Sequence, residues 1–264
     1  MASVSAMEIL VDGDPGLLPL TLAVDVGASK VKATVLDARG RPVAPARKRR
    51  VTYPCAPHDL VSVITGLADR LPRANRVGLG FPGVVRGGRV LTATNLITAA
   101  GPGSGDDPAM VEAWRGAPLA TMLAEETGLE VRSANDADLA ALAVARGTGV
   151  ELVVTLGSGF GSGLVEDGQL AAHLELGSML GPEGADLDAW VGEAARKAVG
   201  DPTWCERAYE ALALAALVTT CDRLYVGGGN ARRLSRDQLK QRLACEVAVA
   251  DSAAGMLGAA KLFA

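Results

Sequence analysis

Glycine, serine and acidic residues directly follow apolar, β-branched runs at several places in this sequence. The richest such place lies between Val153 and Val165, where small residues recur: Gly157, Ser158, Gly159, Gly161, Ser162 and Gly163. The pattern predicts a strand, a tight turn and a second strand. Successive backbone N–H groups in such a turn form a concave nest that suits a phosphate. A plain glycine-rich hairpin is the alternative that the residues alone leave open.

The glycine stretch matches neither of two common phosphate-binding motifs. A dinucleotide fingerprint, G-x-G-x-x-G, is excluded because Ser162 and Leu164 stand where its third glycine belongs. A Walker loop is excluded because no glycine in the chain is followed directly by lysine. A phosphate bound here must therefore belong to another structural context.

A carboxylate stands near the end of the first predicted strand, at residues 21–27. Asp25 precedes a short turn of small residues, and a second strand returns from Val31. A carboxylate at a strand tip beside such a turn can hold hydrated Mg²⁺ near phosphates. The alternative is that Asp25 simply caps the turn.

Asn135 and Asp136 stand at another junction, between a short strand at 130–132 and an alanine-rich helix at 139–146. Capping of the helix is the structural interpretation, because both residue types do this well. One acid is enough for a cap, however, and Asp138 adds a further one within four residues. The cluster therefore also indicates a functional role.

Two more stretches carry polar groups just beyond predicted strands. A strand at 223–226 runs into Gly227, Gly228, Gly229 and Asn230, where a ligand can approach the backbone. His173 and Glu175 follow the second strand of the glycine hairpin. A lone histidine or glutamate at such a place predicts a surface residue.

Composition limits the classes of function. With 264 residues, 49% of them hydrophobic, the chain can form one large domain or two small lobes. The net charge of −4 and a pI near 5.3 argue against nucleic acid as a partner, and the basic run 47–50 is interpreted as a solvated strand end. No stretch predicts a membrane span, and no secretory signal is visible. The four cysteines show no C-x-x-C spacing, so we expect no zinc site and a cytoplasmic protein.

The order of elements predicts a mixed sheet with helices packed on it. We expect a flexible tail at 1–18, an N-terminal lobe at 19–133 and a C-terminal lobe at 134–251. A last helix at 252–264, rich in small residues, is expected to pack back on the N-terminal lobe. Other helices are predicted at 57–71, 188–199 and 203–220.

The ordered set of these motifs resembles the ROK sugar kinases, especially the short glucokinase-like branch that uses ATP or polyphosphate. The resemblance covers nearly the whole chain after residue 20 and is carried by residues 25–30, 80–83, 95–96, 135–137, 155–162, 175–177 and 227–230. Each motif is weak alone, whereas the ordered set is specific. The resemblance implies an α/β fold of the actin-like ATPase type (ribonuclease H-like, hexokinase-type), with two lobes and a central cleft.

The resemblance also implies roles for individual residues. ATP and Mg²⁺ are the implied cofactors, and Asp25 would face the transferred phosphate and hold Mg²⁺ through water. The residues that would bind the nucleotide and its phosphates are Gly27, Ala28, Ser29, Lys30, Gly157, Ser158, Gly159, Gly161, Gly227, Gly228, Gly229 and Asn230. Asp136 would be the catalytic base that accepts the proton of the attacking hydroxyl. The sugar would be held by Gly83, Asn95, Asn135, Asp136, Glu175 and Ser178.

The chain departs from the family pattern at positions that matter for the acceptor. Ser178 stands where the family commonly has a histidine that touches sugar hydroxyls and, in many members, ligates a structural zinc. The cysteines that complete that zinc site are missing too, so we expect no zinc. A further sugar-binding glutamate of the family has no clear equivalent, with Asp186 and Asp188 as weak candidates. Ala28 replaces the second glycine of the first phosphate motif.

Two acceptor hypotheses follow, because a site that hydrogen-bonds particular hydroxyls rejects other rings. One is an ordinary hexose kinase, such as an ATP- or polyphosphate-dependent glucokinase. The other, favoured by Ser178, is a kinase for a sugar-like carbocycle such as a C7-cyclitol. A non-catalytic sugar-binding ROK protein is a further alternative, while residues 1–18 are too few for the DNA-binding unit of a repressor. The family resemblance suggests a homodimer.

Overall fold

The structure, a computed structural model, describes residues 18–182, 184–250 and 254–264. The tail expected at 1–18 therefore lies outside these residues except for its last one. The described chain forms two compact units: the first ends at Asp136 and also contains 259–264, and the second is Ala137–Gly258. The chain thus leaves the first unit three residues later than the sequence predicts and re-enters it inside the last helix.

The first unit opens with an antiparallel meander and continues with strand–helix units. In chain order its helices and strands are β1 (Thr21–Val26), β2 (Lys30–Leu36), β3 (Arg47–Arg50), α1 (Pro57–Ala68), β4 (Arg76–Phe81), β5 (Val85–Arg86), β6 (Arg89–Val90), α2 (Pro108–Trp114), α3 (Leu119–Thr127) and β7 (Glu130–Asn135). The helix predicted at 57–71 ends three residues early, and its predicted apolar side from Leu60 to Leu67 is buried.

The five-stranded sheet of this unit has the order β3-β2-β1-β4-β7. The meander is antiparallel, whereas β1, β4 and β7 run parallel. Parallel strands present their carboxyl ends at the same edge of a sheet, where open α/β sheets bind ligands. The register places Asp25 level with Gly80, and Gly80 level with Ala134, the residue before Asn135. The first unit therefore gathers these predicted residues at one edge.

The second unit begins with a helix and repeats the meander. In chain order its helices and strands are α4 (Asp136–Val144), β8 (Val150–Leu156), β9 (Phe160–Glu166), β10 (Gln169–Leu170), α5 (Leu187–Val191), α6 (Glu193–Val199), α7 (Asp201–Thr219), β11 (Arg223–Gly227), α8 (Arg236–Arg242), β12 (Glu246–Val249) and α9 (Ala254–Lys261), the last of which continues into the first unit. The helix predicted at 188–199 is split at Gly192, where an added Cβ would lie 2.6 Å from the Ser158 carbonyl oxygen.

The sheet of the second unit has the order β10-β9-β8-β11-β12. Its pattern repeats that of the first sheet, with an antiparallel meander at one side and parallel strands β8, β11 and β12 at the other. Thr155 lies level with Gly227, so the glycine turn after β8 and the glycines after β11 share one edge.

Two of the glycines in the stretch 157–163 belong to a strand rather than to the turn. Gly161 and Gly163 lie in β9, opposite Thr155 and Val153 of β8. An added Cβ would lie 2.4 Å from Thr155 Oγ1 at Gly161, and 2.4 Å from the Ala137 carbonyl oxygen at Gly163. Close packing inside the unit therefore requires these glycines, and the tight turn itself is only residues 157–159.

Helix α9 brings the end of the chain to the first unit. An added Cβ at Gly78 of β4 would lie 2.2 Å from the Ala259 carbonyl oxygen, so only glycine permits this approach. The guanidinium groups of Arg76 and Arg132 lie 4.3 and 5.0 Å from the centre of the Phe263 ring. No helix among the described residues is both long and apolar enough to cross a bilayer.

Candidate active site

The turn between β1 and β2 is the charged part of the first unit's edge. The Asp25 carboxylate lies 3.4 Å from the Lys32 ammonium, and the two side chains are 35% and 41% exposed. Gly27 N–H donates to the Lys30 carbonyl at 3.0 Å and closes the turn. This half-exposed carboxylate with a lysine beside it suits a metal-bound phosphate group more than a buried structural role.

The turn is held from outside by the chain that leaves β3. The Tyr53 hydroxyl donates to the Ala28 carbonyl, and Val51 N–H donates to the Ser29 carbonyl at 3.1 Å. Both contacts use main-chain carbonyls of the turn. The exposed side chains of Ser29 and Lys30 therefore take no part in these two hydrogen bonds.

The carboxyl ends of β4 and β7 bring together two predicted substrate residues. Buried Asn135 donates from Nδ2 to the Gly83 carbonyl at 3.1 Å. Asp136 follows it at the first position of α4 and is exposed. Asn95 is half-buried in the short 3-10 helix Thr94–Ile97. The buried amide therefore fixes the strand end, and the next carboxylate is presented at the surface.

The glycine turn of the second unit contains no charged residue, but polar groups from later segments brace it. The Asp188 carboxylate accepts the Phe160 N–H. Glu193 N–H donates to the Ser158 carbonyl at 3.3 Å, and Asn230 Nδ2 donates to the Gly157 carbonyl at 3.4 Å. The turn residues themselves stay half-buried or exposed. The Gly157 N–H donates to the Gly159 carbonyl at 3.1 Å, and an added Cβ at Gly159 would lie 2.5 Å from Asp188 Oδ1. Ser158 is therefore the most open residue of the turn.

The glycines after β11 are joined to the same turn. Asn230 N–H donates to the Leu156 carbonyl at 3.0 Å, and its side chain also donates to Glu193 Oε2 at 3.0 Å. Hydrogen bonds from Arg196 and from Asn230 lower the pKa of Glu193 to about 2. Gly228 has a φ of +85°, and an added Cβ would lie 2.3 Å from the Leu156 carbonyl oxygen. The two predicted nucleotide segments thus form one structure.

The predicted sugar residue Glu175 belongs to a cluster that the sequence did not indicate. His173 lies between two carboxylates, with Nδ1 2.9 Å from Asp138 Oδ2 and Nε2 2.7 Å from Glu175 Oε1. The His173 and Asp138 side chains are 7% and 4% exposed, while that of Glu175 is 45% exposed. The expectation that His173 is a surface residue is therefore wrong. The reason is that two acids offer partners for its buried ring.

Burial alone would lower the pKa of His173, but its hydrogen bonds to Asp138 and Glu175 raise it to about 9. The ring is consequently an imidazolium at neutral pH, and both of its nitrogens donate. Asp138 stands two residues after Asp136 in the first turn of α4. The cluster thus links that helical turn to the loop that carries Glu175.

The other acceptor candidates lie nearby in the chain but differ in role. Ser178 is exposed at the end of the short 3-10 helix Leu176–Ser178, and its N–H donates to the Glu175 carbonyl at 3.0 Å. Asp186 caps α5 by accepting the Ala189 N–H at 2.7 Å. Asp188 is used on the glycine turn. Both Asp186 and Asp188 therefore accept hydrogen bonds from backbone N–H groups and have structural roles.

Three residues were not singled out from the sequence: Tyr53 in the first unit and, in the second, Glu193 and His173 as a partner of Glu175. Tyr53 and Glu193 have no local signal, because each reaches its partner from a separate segment of the chain. His173 stands only two residues from Glu175, but its burial depends on Asp138, 35 residues earlier. Asp188 was singled out for a different role. Its proximity to the stretch 157–161 follows only from the loop that returns after β10.

Two other features of the described chain lie outside these edges. Glu151 is fully buried near the start of β8. Burial raises its pKa, but hydrogen bonds from the Arg146 and Gly147 N–H groups, the Tyr225 hydroxyl and the Arg223 guanidinium lower it to about 2. A cavity of about 500 Å³ in the first unit is lined by Gly87, Gly88, Ala120, Thr121, Ala124, Val131, Arg132, Ser133 and Leu262, none of them a predicted site residue.

The two edges suit complementary parts of phosphoryl chemistry. The first unit offers carboxylates at strand ends, which can orient a nucleophile and hold a hydrated cation. The second offers the main chain of a glycine turn with Ser158 exposed, and a carboxylate held by an imidazolium. Among the described residues, no cluster of three or more histidine, cysteine or acidic side chains is arranged to hold a metal on its own.

Known proteins share both the sequence pattern and the fold. The sequence pattern that defines the ROK family matches residues 21–174. The chain belongs to the ROK family. Polyphosphate glucokinase of Mycobacterium leprae is 27% identical to this ROK chain over 253 residues, which cover 90% of the chain and 72% of the relative. Polyphosphate glucokinase of Mycobacterium tuberculosis is 26% identical over 248 residues, covering 90% of the chain and 88% of the relative.

Solved structures agree with the fold of this ROK chain. Inorganic polyphosphate/ATP-glucomannokinase from Arthrobacter sp. strain KM superposes with a TM-score of 0.73 at 24% identity, covering 91% of this chain and 96% of that one. A ROK family glucokinase from Streptomyces griseus, solved in complex with glucose and AMPPNP, superposes with a TM-score of 0.69 at 22% identity, covering 92% and 98%. The predicted actin-like ATPase fold is confirmed.

Proposed function

We propose that this ROK chain is a carbohydrate kinase that transfers the γ-phosphoryl group of ATP to a hydroxyl of a sugar or a sugar-like cyclitol. The observation that carries the proposal is the carboxyl edge of the first sheet. There Asp25 is the second-last residue of one parallel strand, Asn135 is the last residue of another, and Asp136 follows it. Membership of the ROK family and relatives that are polyphosphate glucokinases support the same reaction class.

Asp136 is the general base in this proposal. The acceptor hydroxyl oxygen forms the new bond to the terminal phosphorus, the bond from that phosphorus to the bridging oxygen breaks, and ADP leaves. The hydroxyl proton passes to the Asp136 carboxylate. An exposed carboxylate is sufficient, because catalysis of phosphoryl transfer is mainly positioning and charge stabilisation. Asn135, fixed on the Gly83 carbonyl, positions the residue that follows it.

The residues fit Mg²⁺ and ATP. Asp25 offers a half-exposed carboxylate at a strand end, the donor type that Mg²⁺ takes together with water and phosphate oxygens. A bound Mg²⁺ would neutralise charge on the transferred phosphoryl group. An added Cβ at Gly157 or at Gly229 would meet nothing within 4 Å, so backbone is open to a ligand at both glycine segments. Gly157–Gly159 and Gly227–Asn230 are proposed to hold the phosphates and the nucleoside.

The acceptor side of the proposal uses Glu175, with Asn95 and Ser178. Ser178 has a short, exposed side chain, which leaves room where a histidine would reach a hydroxyl. This favours an acceptor other than glucose, with a C7-cyclitol as the specific candidate. Glucose phosphorylation is the alternative that the relatives' names support.

The test is ADP release from Mg-ATP with glucose, mannose, glucosamine and a C7-cyclitol as acceptors. Asp136→Asn is expected to reduce turnover by about 10²–10⁴-fold, the usual contribution of a general base. Asp237→Asn removes an exposed acid from the first turn of α8 and is the matched control, with unchanged turnover expected. Circular dichroism should show both variants folded. Persistent turnover by Asp136→Asn would contradict the base, and nucleotide binding without turnover on any acceptor would favour a non-catalytic sugar-binding protein.

A second candidate is polyphosphate as the donor, favoured by a basic face on the first sheet. Cross-strand pairs Lys30–Arg50 and Lys32–Lys48 place four cations on the face shared with Asp25. The β3 side chains are all exposed. A polyphosphate whose terminal group lies at Asp25 could extend across this face and contact these cations one after another.

The two faces of β3 provide a test and its control for polyphosphate as the phosphoryl donor. Lys48→Gln with Arg50→Gln removes two cations from that face, whereas Arg47→Gln with Arg49→Gln removes two from the opposite face of the same strand. If polyphosphate is a donor, the first pair should raise the KM for polyphosphate more than tenfold, and the second pair should leave it nearly unchanged. Equal effects, or no phosphorylation with polyphosphate, would contradict this donor.

A further inference from the structure

His173 has no ring nitrogen left for a ligand. Nδ1 contacts Asp138 at 2.9 Å and Nε2 contacts Glu175 at 2.7 Å, and the side chain is 7% exposed. It therefore cannot substitute directly for a histidine that would contact an acceptor from position 178. Any influence of His173 on the acceptor must pass through the two carboxylates.

The backbone around Glu175 is fixed without His173. Ser162 of β9 donates from Oγ to the Leu174 carbonyl at 2.6 Å and accepts the Leu176 N–H at 3.3 Å. The main chain on both sides of Glu175 is thus tied to the sheet. What remains to be fixed is the rotation of the Glu175 side chain, and the contact from His173 restricts it.

The Glu175 carboxylate is held at one oxygen and available at the other. Oε1 accepts the hydrogen bond from His173, while no described residue donates to Oε2, and the side chain is 45% exposed. A carboxylate in this state can accept one hydrogen bond from a neutral hydroxyl in a fixed direction. The single positive charge of the imidazolium is shared between Glu175 and buried Asp138.

We propose that His173 is a positioning residue for the acceptor. It is held by Asp138, in the first turn of α4, and in turn fixes the orientation of the Glu175 carboxylate, which binds a substrate hydroxyl. This inference rests on the proposed carbohydrate kinase activity and on Glu175 as an acceptor ligand. It predicts that the cluster sets acceptor affinity and leaves donor affinity unchanged.

The kinetic test compares His173→Gln with wild type on the best acceptor of the panel. Glutamine keeps a donor of similar reach and loses the charge, so at most one of the two contacts survives. The KM for the acceptor should rise about tenfold or more, the usual effect of losing a hydrogen bond to a charged group, and the KM for Mg-ATP should stay within about twofold. His58→Gln is the matched control, because His58 is the other histidine of the chain and pairs with Asp59 on the surface.

A double-mutant cycle separates positioning from a general loss of structure. Asp138→Asn alone should raise the acceptor KM although Asp138 contacts His173 and not Glu175. In the His173→Gln background the same change should have little further effect, because the link is already broken. Additive effects on acceptor and donor KM alike would overturn the proposal.

The protonation state gives a readout that needs no activity. In full-length ¹⁵N-labelled protein, His58→Ala leaves a single histidine ring signal, which is that of His173. Both ring nitrogens should stay protonated at pH 8, and Glu175→Gln should lower the pKa of the ring. Asp138 from α4 and Glu175 from the loop after β10 are the charged groups that face the ring among the described residues. A neutral ring at pH 7 would overturn the ion-pair arrangement.

The outcomes distinguish this inference from the proposed function. Wild-type protein that phosphorylates none of the acceptors would refute the function and, with it, the positioning role. Wild-type activity combined with an unchanged acceptor KM in His173→Gln would refute only the positioning role. If His173→Gln does not fold, Glu175→Gln, at a half-exposed position, tests the same link through the His173 signal.

Discussion

The two glycine turns of this chain occupy equivalent places in equivalent sheets, yet they are built from different chemistry. Each follows the first strand of an antiparallel hairpin that borders parallel strands. Asp25 and Thr155 hold the same position, two residues before the first glycine of the turn. The first turn therefore carries a carboxylate and lysines, whereas the second carries hydroxyl groups and no charged side chain.

The turns also differ in what holds them. The first is braced on its carbonyls by Tyr53 and by the Val51 N–H, from the chain next to it in the sheet. The second is braced by Asp188, Glu193 and Asn230, which arrive from two later segments. A turn whose own side chains carry charge can be held by neutral groups. The second turn has one backbone hydrogen bond of its own, from the Gly157 N–H to the Gly159 carbonyl, and takes its other contacts from later segments.

The largest expected contrast is between the two equivalent positions. Asp25→Asn should reduce kcat by about 10²–10³-fold, because it removes charge stabilisation of the transferred group. Thr155→Val, at the equivalent position, should cost less than about tenfold, the effect of losing one neutral hydrogen bond. Steady-state rates with Mg-ATP measure both. Equal losses would show that the two turns are chemically alike.

Gly228 tests whether the second turn depends on a close backbone approach. Gly228→Ala should destabilise the fold by roughly 3 kcal/mol or more, since its φ of +85° is unfavourable for alanine and the new Cβ would lie 2.3 Å from the Leu156 carbonyl oxygen. Gly229→Ala is the control, because an added Cβ there meets nothing within 4 Å. Denaturant unfolding compares the two. Similar midpoints would contradict the close approach.

Asp188 tests the external brace of the second turn. Asp188→Asn should raise the KM for ATP several-fold and lower stability by about 1–3 kcal/mol, because the Phe160 N–H loses a charged acceptor. Asp186→Asn keeps a good capping residue on the neighbouring helix and should change stability by about 0.5 kcal/mol or less. An unchanged donor KM in Asp188→Asn would mean that the turn holds its shape alone.

The smallest effect is expected at the brace of the first turn. Tyr53→Phe removes the hydroxyl that donates to the Ala28 carbonyl and should cost about 0.5–1.5 kcal/mol of stability. The KM for ATP should change less than in Asp188→Asn, because the backbone bonds Gly27 to Lys30 and Val51 to Ser29 remain. A larger donor KM effect here than at Asp188 would reverse the comparison.

The pH dependence of stability tests the ion pairs of His173 in the second unit. The pKa of His173 is raised in the folded protein to about 9 from an ordinary value of 6.5. Its stabilising contribution is therefore fully present below pH 6.5 and is lost as pH rises through 9. Thermal melting of wild type should fall across this range, and His173→Gln should show a flatter profile. An identical slope in the two proteins would contradict the ion pairs.

Much of the fold, and the choice of several candidate site residues, follow from local patterns. The strands around Asp25, the glycine turn and the edge residues Asn135 and Asp136 could be placed because parallel strands end at one edge and because helix starts favour such residues. The register of the sheets then aligns Asp25 with Gly80 and Thr155 with Gly227. Errors of a few residues occurred at helix ends, where the pattern is weakest, as at Ala68 and Gly192.

What the sequence by itself determined was the order of elements, the apolar faces and the family, because these depend on residue types that are near one another in the chain. Only the tertiary structure decided which glycines serve a turn and which, like Gly161 and Gly163, serve packing. It also decided that Glu151 is a buried structural acid and that His173 lies between two carboxylates. A buried charge is stable only where it is paired. Tyr225 and Arg223 pair with Glu151, and Asp138 pairs with His173, and only the folded chain brings these distant partners into contact.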